Sequence, residues 1–298
     1  RNTGFEVSIN TINIQNKDFS WETSFNISFN RNKILKLAEG QTNMLSWVAF
    51  TGDYNGSFSY IANVGGPAAT LYGYKWDGNY QYSDFDLIGT SYVLKAGIPT
   101  NGNTSVQPGD IKYVDFNKDG VVNEKDMVPI GRGLPVHYGG FNNNISYKGF
   151  SLNVFFQWNY GNDIINANRL AFEGNMGNRL NLNQFASYTN RWTPQNPTNE
   201  NYRTGGFGPK GRYSSKIIED GSYLRLKTVE LCYAFPKKWR GKLKSLEVYG
   251  AAQNLYTWTS YTGYDPEVSV RNSTLTPGFD YSSYPRNLTV TAGVKANF

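Results

Sequence analysis

In Asn287-Leu-Thr-Val-Thr-Ala-Gly-Val-Lys-Ala-Asn-Phe298 the side chains sort by parity. Leu288, Val290, Ala292, Val294, Ala296 and Phe298 fall on one side of an extended chain, and Asn287, Thr289, Thr291, Gly293, Lys295 and Asn297 on the other. Successive side chains of a strand point to opposite faces, so the segment has one apolar and one wet face. The same alternation runs through Phe19-Ser-Trp-Glu-Thr-Ser-Phe-Asn-Ile-Ser-Phe29, where every odd position except Thr23 is large and apolar. Phe150, Leu152, Val154, Phe156 and Trp158 form a further stripe, as do Val229, Leu231, Tyr233 and Phe235.

This pattern predicts seven strands, over 4–14, 18–30, 137–148, 150–160, 222–235, 245–258 and 287–298. Strands of about 9–11 residues suffice to cross a bilayer when tilted, whereas globular strands are usually about 5–6 residues long. The connections alternate. Short turns lie at Gln15–Asp18, Lys148-Gly149 and Pro236–Lys242, and long connections span 31–136, 161–221 and 259–286. Counted back from Phe298, every short turn falls at one end of the strands and every long loop at the other. An antiparallel transmembrane β-barrel has this asymmetry, with short inner turns and long external loops. A soluble β-sandwich also alternates, and a secreted, calcium-stabilised sandwich that serves as a binding module is the rival reading.

Composition agrees with strands. Aromatics are 16% of residues and charges 17%, a mix that favours pleated, half-buried surfaces. Mean hydropathy is −0.53, and no apolar run approaches the length of a membrane-spanning helix; neither observation excludes a barrel, whose strands are apolar only at every second position. The net charge of +6 comes without a basic block interleaved with aromatics, so no nucleic-acid partner is expected. Cys232 lies in a strand pattern and reads as a packing residue; His137 has no second His or Cys beside it. The first residues lack the apolar core of a signal peptide, so the numbering starts either after processing or inside a longer protein. Tyr147, Tyr160, Tyr233, Trp239, Tyr256 and Trp258 cluster near strand ends, where rings with polar tips suit a membrane interface; they would equally serve as core aromatics of a sandwich.

One segment carries metal chemistry. Asp115, Asn117, Asp119, Val121 through its carbonyl, Asn123 and Asp126 stand at positions 1, 3, 5, 7, 9 and 12 of a calcium-type loop, with Gly120 at the sharp turn. Asp126 replaces the Glu of an EF-hand, which makes the loop look dockerin-like. A structural calcium ion is expected there, stiffening the 31–136 connection; the alternative is a metal-free turn held by side-chain-to-backbone hydrogen bonds. Glu219-Asp220, followed by Gly221, reads as a turn rather than an acid/base pair. No phosphate loop, nucleophile elbow or spaced histidines appear, so no catalytic residue is assigned and no enzyme is expected. Aromatics on the long external loops, namely Trp76, Trp192, Tyr261, Tyr264, Tyr281 and Tyr284, together with Tyr72 and Tyr74, are candidates for contact with cargo; packing between loops or an interface with a partner is the plainer role. Lys295, Lys227 and Arg225 are placed on the wet face or a rim, because a charge facing lipid at mid-depth costs about 2–4 kcal/mol.

Several blocks resemble the C-terminal region of the SusC/RagA family of TonB-linked transporters. They are Gly109–Gly120, Gly139-Gly-Phe-Asn-Asn143, Tyr147–Leu152, Asn190-Arg-Trp-Thr-Pro194, Ile218–Lys227, Gln253-Asn-Leu255 and Gly263–Val268, in an order that spans the whole chain. The resemblance implies a 22-stranded outer-membrane barrel closed by an N-terminal plug and energised through TonB. It also implies a SusD-like surface lipoprotein as lid, and import of glycan or peptide fragments. Residues 1–298 would be the C-terminal portion of such a barrel, without plug or N-terminal strands, because seven strands cannot close and open edges are not tolerated in hydrocarbon. The family likeness further implies that the aromatic Phe298 is read by the barrel-insertion machinery.

Overall fold

The computed structural model describes residues 1–174, 183–239, 241–270 and 273–298. Residue 240, in the expected 236–242 turn, and parts of the 161–221 and 259–286 connections lie outside the described residues. Seven long strands form one sheet in chain order: β1 (Asn2–Gln15), β2 (Phe19–Asn32), β3 (His137–Tyr147), β4 (Phe150–Tyr160), β5 (Tyr223–Ala234), β6 (Ser245–Thr259) and β7 (Thr289–Asn297). Every neighbouring pair is antiparallel. The β3–β4 link shows why the turns are tight. Lys148 and Gly149 both adopt positive φ, 44° and 91°, the pairing that a two-residue hairpin of matching twist needs.

Register carries the alternation across the sheet. Phe5, Phe29, His137 and Tyr160 lie side by side, as do Val7, Ile27, Gly139, Trp158, Leu224 and Trp258. At the turn end Phe19, Tyr147, Phe150, Tyr233, Val248 and Val294 form the corresponding row. Aromatic rows therefore border an apolar face at both ends. Phe150 to Tyr160 spans about 33 Å along the strand, or about 25 Å of depth at a barrel strand's usual tilt.

Nothing in the described chain covers this face. Phe5, Ile9, Leu231, Val290 and Val294 are each at least half exposed. None of the three buried hydrophobic clusters contains a residue of β1–β7. A sandwich would bury its greasy stripes against a second sheet; here there is none, and that reading falls.

The buried clusters lie instead in the long connections, which fold on one another into a cap. Short sheets pair Asn43–Ser46, Tyr60–Asn63, Thr70–Gly73 and Val128–Arg132, and separately Asp163–Asn166, Ile218–Asp220 and Phe279–Asp280. The largest cluster joins Tyr60 and Leu71 from the first connection, Ile165, Tyr213 and Ile217 from the second and Phe279 from the third. Much of the chain's tyrosine is spent here. Tyr60 donates its hydroxyl to the Pro277 carbonyl (2.7 Å) and Tyr80 to that of Pro99 (2.6 Å), so burial of the rings leaves these polar tips satisfied.

Candidate functional site

The cap meets the sheet at the start of β5. Parity puts Leu224 on the apolar face and Arg225 on the polar one, as expected, but Arg225 is not open to a lumen: it is 1% exposed. Its Nε donates to Thr257 Oγ1 (2.9 Å) and its two terminal nitrogens to Glu267 Oε2 (2.8 Å) and Asp265 Oδ1 (2.5 Å). Asp265 in turn accepts the backbone N–H groups of Glu267 and Arg286. Lys227 and Arg286 approach Glu267 at 3.8 and 3.5 Å. A guanidinium is suited to such forked contacts, and every charge in the buried part is paired.

The same connection is pinned again at Tyr261, which donates to Asp280 Oδ2 at 2.6 Å. Burial, with that carboxylate beside it, raises the phenol's pKa well above its ordinary value. Glu219 accepts from Thr262 N–H and hydroxyl, from Asn166 Nδ2 and from Arg169. Glu219-Asp220 thus belongs to a short strand and ties together three segments; the expected turn is corrected, and its carboxylate is fully engaged. Lys216 is a second buried cation, 4.9 Å over the Trp76 ring and donating to the Glu200 carbonyl and Asn201 Oδ1. Burial, with Arg169 nearby, pulls its pKa down to about 8.

The candidate aromatics separate on this scaffold. Trp192 is buried, donates to Gln81 Oε1 at 3.1 Å and lies against Gly109 (φ 87°), where a Cβ would come within 2.4 Å of the indole. Tyr261 is buried, Trp76 is half-buried beneath Lys216, and Tyr281 packs edge-on to Phe50 at 4.4 Å. Packing has taken those rings, because the loops cover one another. Tyr264 and Tyr284 remain, 79% and 82% exposed. They border a cleft of about 390 Å³ with Asn168, Phe172, Phe185 and Pro285. A second of about 390 Å³ shares Asn168, Phe185 and Tyr264 and adds Arg169, Glu173 and Thr262. Rings held on a braced loop beside amides and hydroxyls can stack on a flat ligand and hydrogen-bond its edges.

The 115–126 loop closes through its own oxygens. Asp115 accepts from the N–H of Lys118 and Gly120, Asn117 from that of Asp119, Asp119 from that of Val121, and Asn123 from that of Lys125. Asp126, fully buried, accepts from the N–H of Phe116 and Asn123 at 2.9 and 2.8 Å. Hydrogen bonds from Val121 N–H and Asn117 hold the Asp119 carboxyl below its ordinary pKa. No three His, Cys, Asp or Glu side chains converge as a metal group among the described residues; the oxygen set is nonetheless of the hard type that suits calcium. Each orphaned buried N–H costs about 1–3 kcal/mol, so Asp126→Ala is expected to open 115–126 to protease while the long strands stay assembled. Intact protection would show that other contacts hold the loop. Phe298 lies beyond β7 and is exposed.

Fold and site together define a class: part of the wall of an antiparallel barrel, with a folded cap at one end. No family model matches the chain. Three similar proteins are TonB-dependent receptors. P3 and P26 of Formosa agariphila are 34% and 33% identical over the whole chain, which spans 28% and 29% of their lengths. SusC of Bacteroides thetaiotaomicron is 27% identical over the whole chain and 26% of its own length. The RagAB peptide transporter superposes with a TM-score of 0.76 at 24% identity, over all of this chain and 29% of that one. The chain is similar over its whole length to TonB-dependent receptors, which are not enzymes, and its fold is that of part of a transporter barrel. It spans little more than a quarter of those relatives.

Proposed function

We propose that residues 1–298 form wall and external cap of a TonB-dependent importer in the outer membrane of a Gram-negative cell, moving glycan or peptide fragments with a SusD-like lipoprotein as lid. The observation that carries this reading is an apolar face bordered by aromatic rows and left uncovered, beside a polar face to which the cap is tied. On it, β1–β7 stand in lipid, the cap faces outward, and TonB acts through regions outside this chain. The SusC-type relatives support the import role, and RagAB is a peptide transporter. Deleting the full-length gene is expected to abolish growth on one class of oligosaccharide or peptide, and the protein should fractionate with outer membranes and need detergent for solubility. Recovery from the detergent-free soluble fraction would sink the proposal.

A structural calcium ion is proposed at Asp115, Asn117, Asp119, the Val121 carbonyl, Asn123 and Asp126. Its support is the spacing of hard oxygens. Millimolar calcium is expected to raise the protease resistance of the 115–126 segment, and chelation or Asp119→Ala to remove that gain. Identical protection with calcium and with chelator would leave the hydrogen-bonded turn as its only support.

A further inference from the structure

At the cap end the sheet opens into a cleft. β2 runs on to Asn32, but its pairing with β3 stops at Phe29 and His137. The chain that leads into β3 comes instead from Val128–Arg132, which pairs within the cap. Between them lies a cleft of about 420 Å³, with Thr3, Phe5, Phe29, Arg31, Arg132 and Val136 among its walls. Register says which way it faces. Thr3 pairs with Arg31 and Phe5 with Phe29, so Arg31 stands on the apolar side of the sheet, two residues beyond the outer aromatic row. That is about 7 Å along the strand, or about 5 Å of depth at the usual tilt. The floor is apolar: the Phe5 and Phe29 rings stack at 4.7 Å, and Phe29 lies 5.2 Å from the His137 ring. The rim is cationic.

Both cations spring from fixed backbone. Asn32, next to Arg31, donates to Asn2 Oδ1 (2.7 Å) and accepts the Ala68 N–H (2.8 Å). Arg132 pairs with Thr70 and gives its backbone N–H to Asp163 Oδ2 (2.7 Å). The Asp163 carboxylate feels the Arg132 charge, yet neither guanidinium joins a salt bridge among the described residues, and both arginines are exposed. A small anion in water would satisfy only this rim, and an acyl chain only the floor.

We propose that the cleft binds lipid A, the phosphorylated glycolipid of the outer leaflet, with acyl chain against Phe5, Phe29 and Val136 and a phosphate between Arg31 and Arg132; this rests on the outer-membrane reading above. Charge complementarity selects the occupant. Guanidinium forks grip phosphate through paired hydrogen bonds, and basic pockets at headgroup depth take lipid head groups. Long arginine stems lie along apolar surface while their charged ends reach the polar layer. A phosphate held by both arginines would also join the end of β2 to the cap across the gap where strand pairing stops.

The test uses the full-length receptor, extracted in mild detergent and given lipid A, with retained lipid counted by native mass spectrometry. Arg31→Gln with Arg132→Gln should lower retention at least tenfold, while Lys36→Gln, at an exposed cation outside the cleft, should leave it unchanged. Lipid A stripped of its phosphates should bind the unmodified receptor at least tenfold more weakly, and millimolar inorganic phosphate should fail to displace the intact lipid. In cells, p-benzoylphenylalanine at position 136 should give adducts with lipid A on irradiation. Retention indifferent to the phosphates or to the two arginines, displacement by inorganic phosphate, or adducts only with protein would overturn the inference with the outer-membrane reading intact. Loss of the unmodified receptor from the outer-membrane fraction would overturn both.

Discussion

Arg225→Leu is expected to release the 259–286 connection from the sheet. The substitution strands the Asp265 carboxylate, 3% exposed, and removes the cation from Glu267. Breaking a buried ion pair from one side costs about 3–5 kcal/mol, because the surviving charge stays desolvated. The loss should be local, since Arg225 sits at the start of β5 and Leu224 still faces outward. Hydrogen exchange over 260–270 and 273–286 should speed up by about two to four orders of magnitude, following from that free energy, with β2–β4 unchanged. Neutralising both acids as Asp265→Asn and Glu267→Gln in the Arg225→Leu background should restore much of the protection. Unchanged exchange in the single variant would mean that the Tyr261–Asp280 and Thr262–Glu219 ties hold the connection unaided.

Val229→Arg should cripple assembly where Thr228→Arg does not. Val229 lies in the middle of the apolar face, between Val154 and Ala252. An arginine facing hydrocarbon at mid-depth costs about 2–4 kcal/mol. Thr228 is its chain neighbour on the polar face, where a long charged side chain can reach water. Folded barrel recovered from outer membranes, read by heat-sensitive migration on gels, should drop severalfold for the first variant alone. Equal yields would mean that lipid does not contact the Val229 side, and the wall assignment would fail.

The wall was legible because its signal is repeated. Alternation persists over each long strand, and the expected bounds fall within about two residues of those observed, the usual slack in strand ends. The bulges at Ile12/Ile14 and Leu226/Thr228 leave no mark in a parity count until a partner strand is known. The cap was illegible for a different reason. Its strands are three to five residues long, apart from Phe279–Asp280, too short for period two to stand out, and their partners come from distant connections. Trp192 and Tyr261 therefore read as loop-surface aromatics, although burial claims them. Glu219-Asp220 likewise read as a turn because Gly221 follows, although its pairing partner is Asp163–Ile165. Arg225 was placed on the polar face or a rim by the cost of a charge in lipid, since the bulge at Leu226/Thr228 reverses the parity of the Val229–Phe235 stripe; its acidic partner lies 40 residues away, beyond any local pattern. For Tyr264 and Tyr284 the sequence named the exposed rings but could not separate them from the packed ones.

Among the described residues every buried apolar cluster belongs to the cap and none to the wall, so on the outer-membrane reading two solvents judge this chain. The cap owes its cohesion to being shielded from water, so it can drift in shape and chemistry as any globular protein does. The strands beneath owe theirs to neighbouring strands and to the oil around them, and tolerate change only in the order of their pleats. On the proposed import function, new specificity can therefore arise at the outer end without renegotiating how the barrel stands in its membrane.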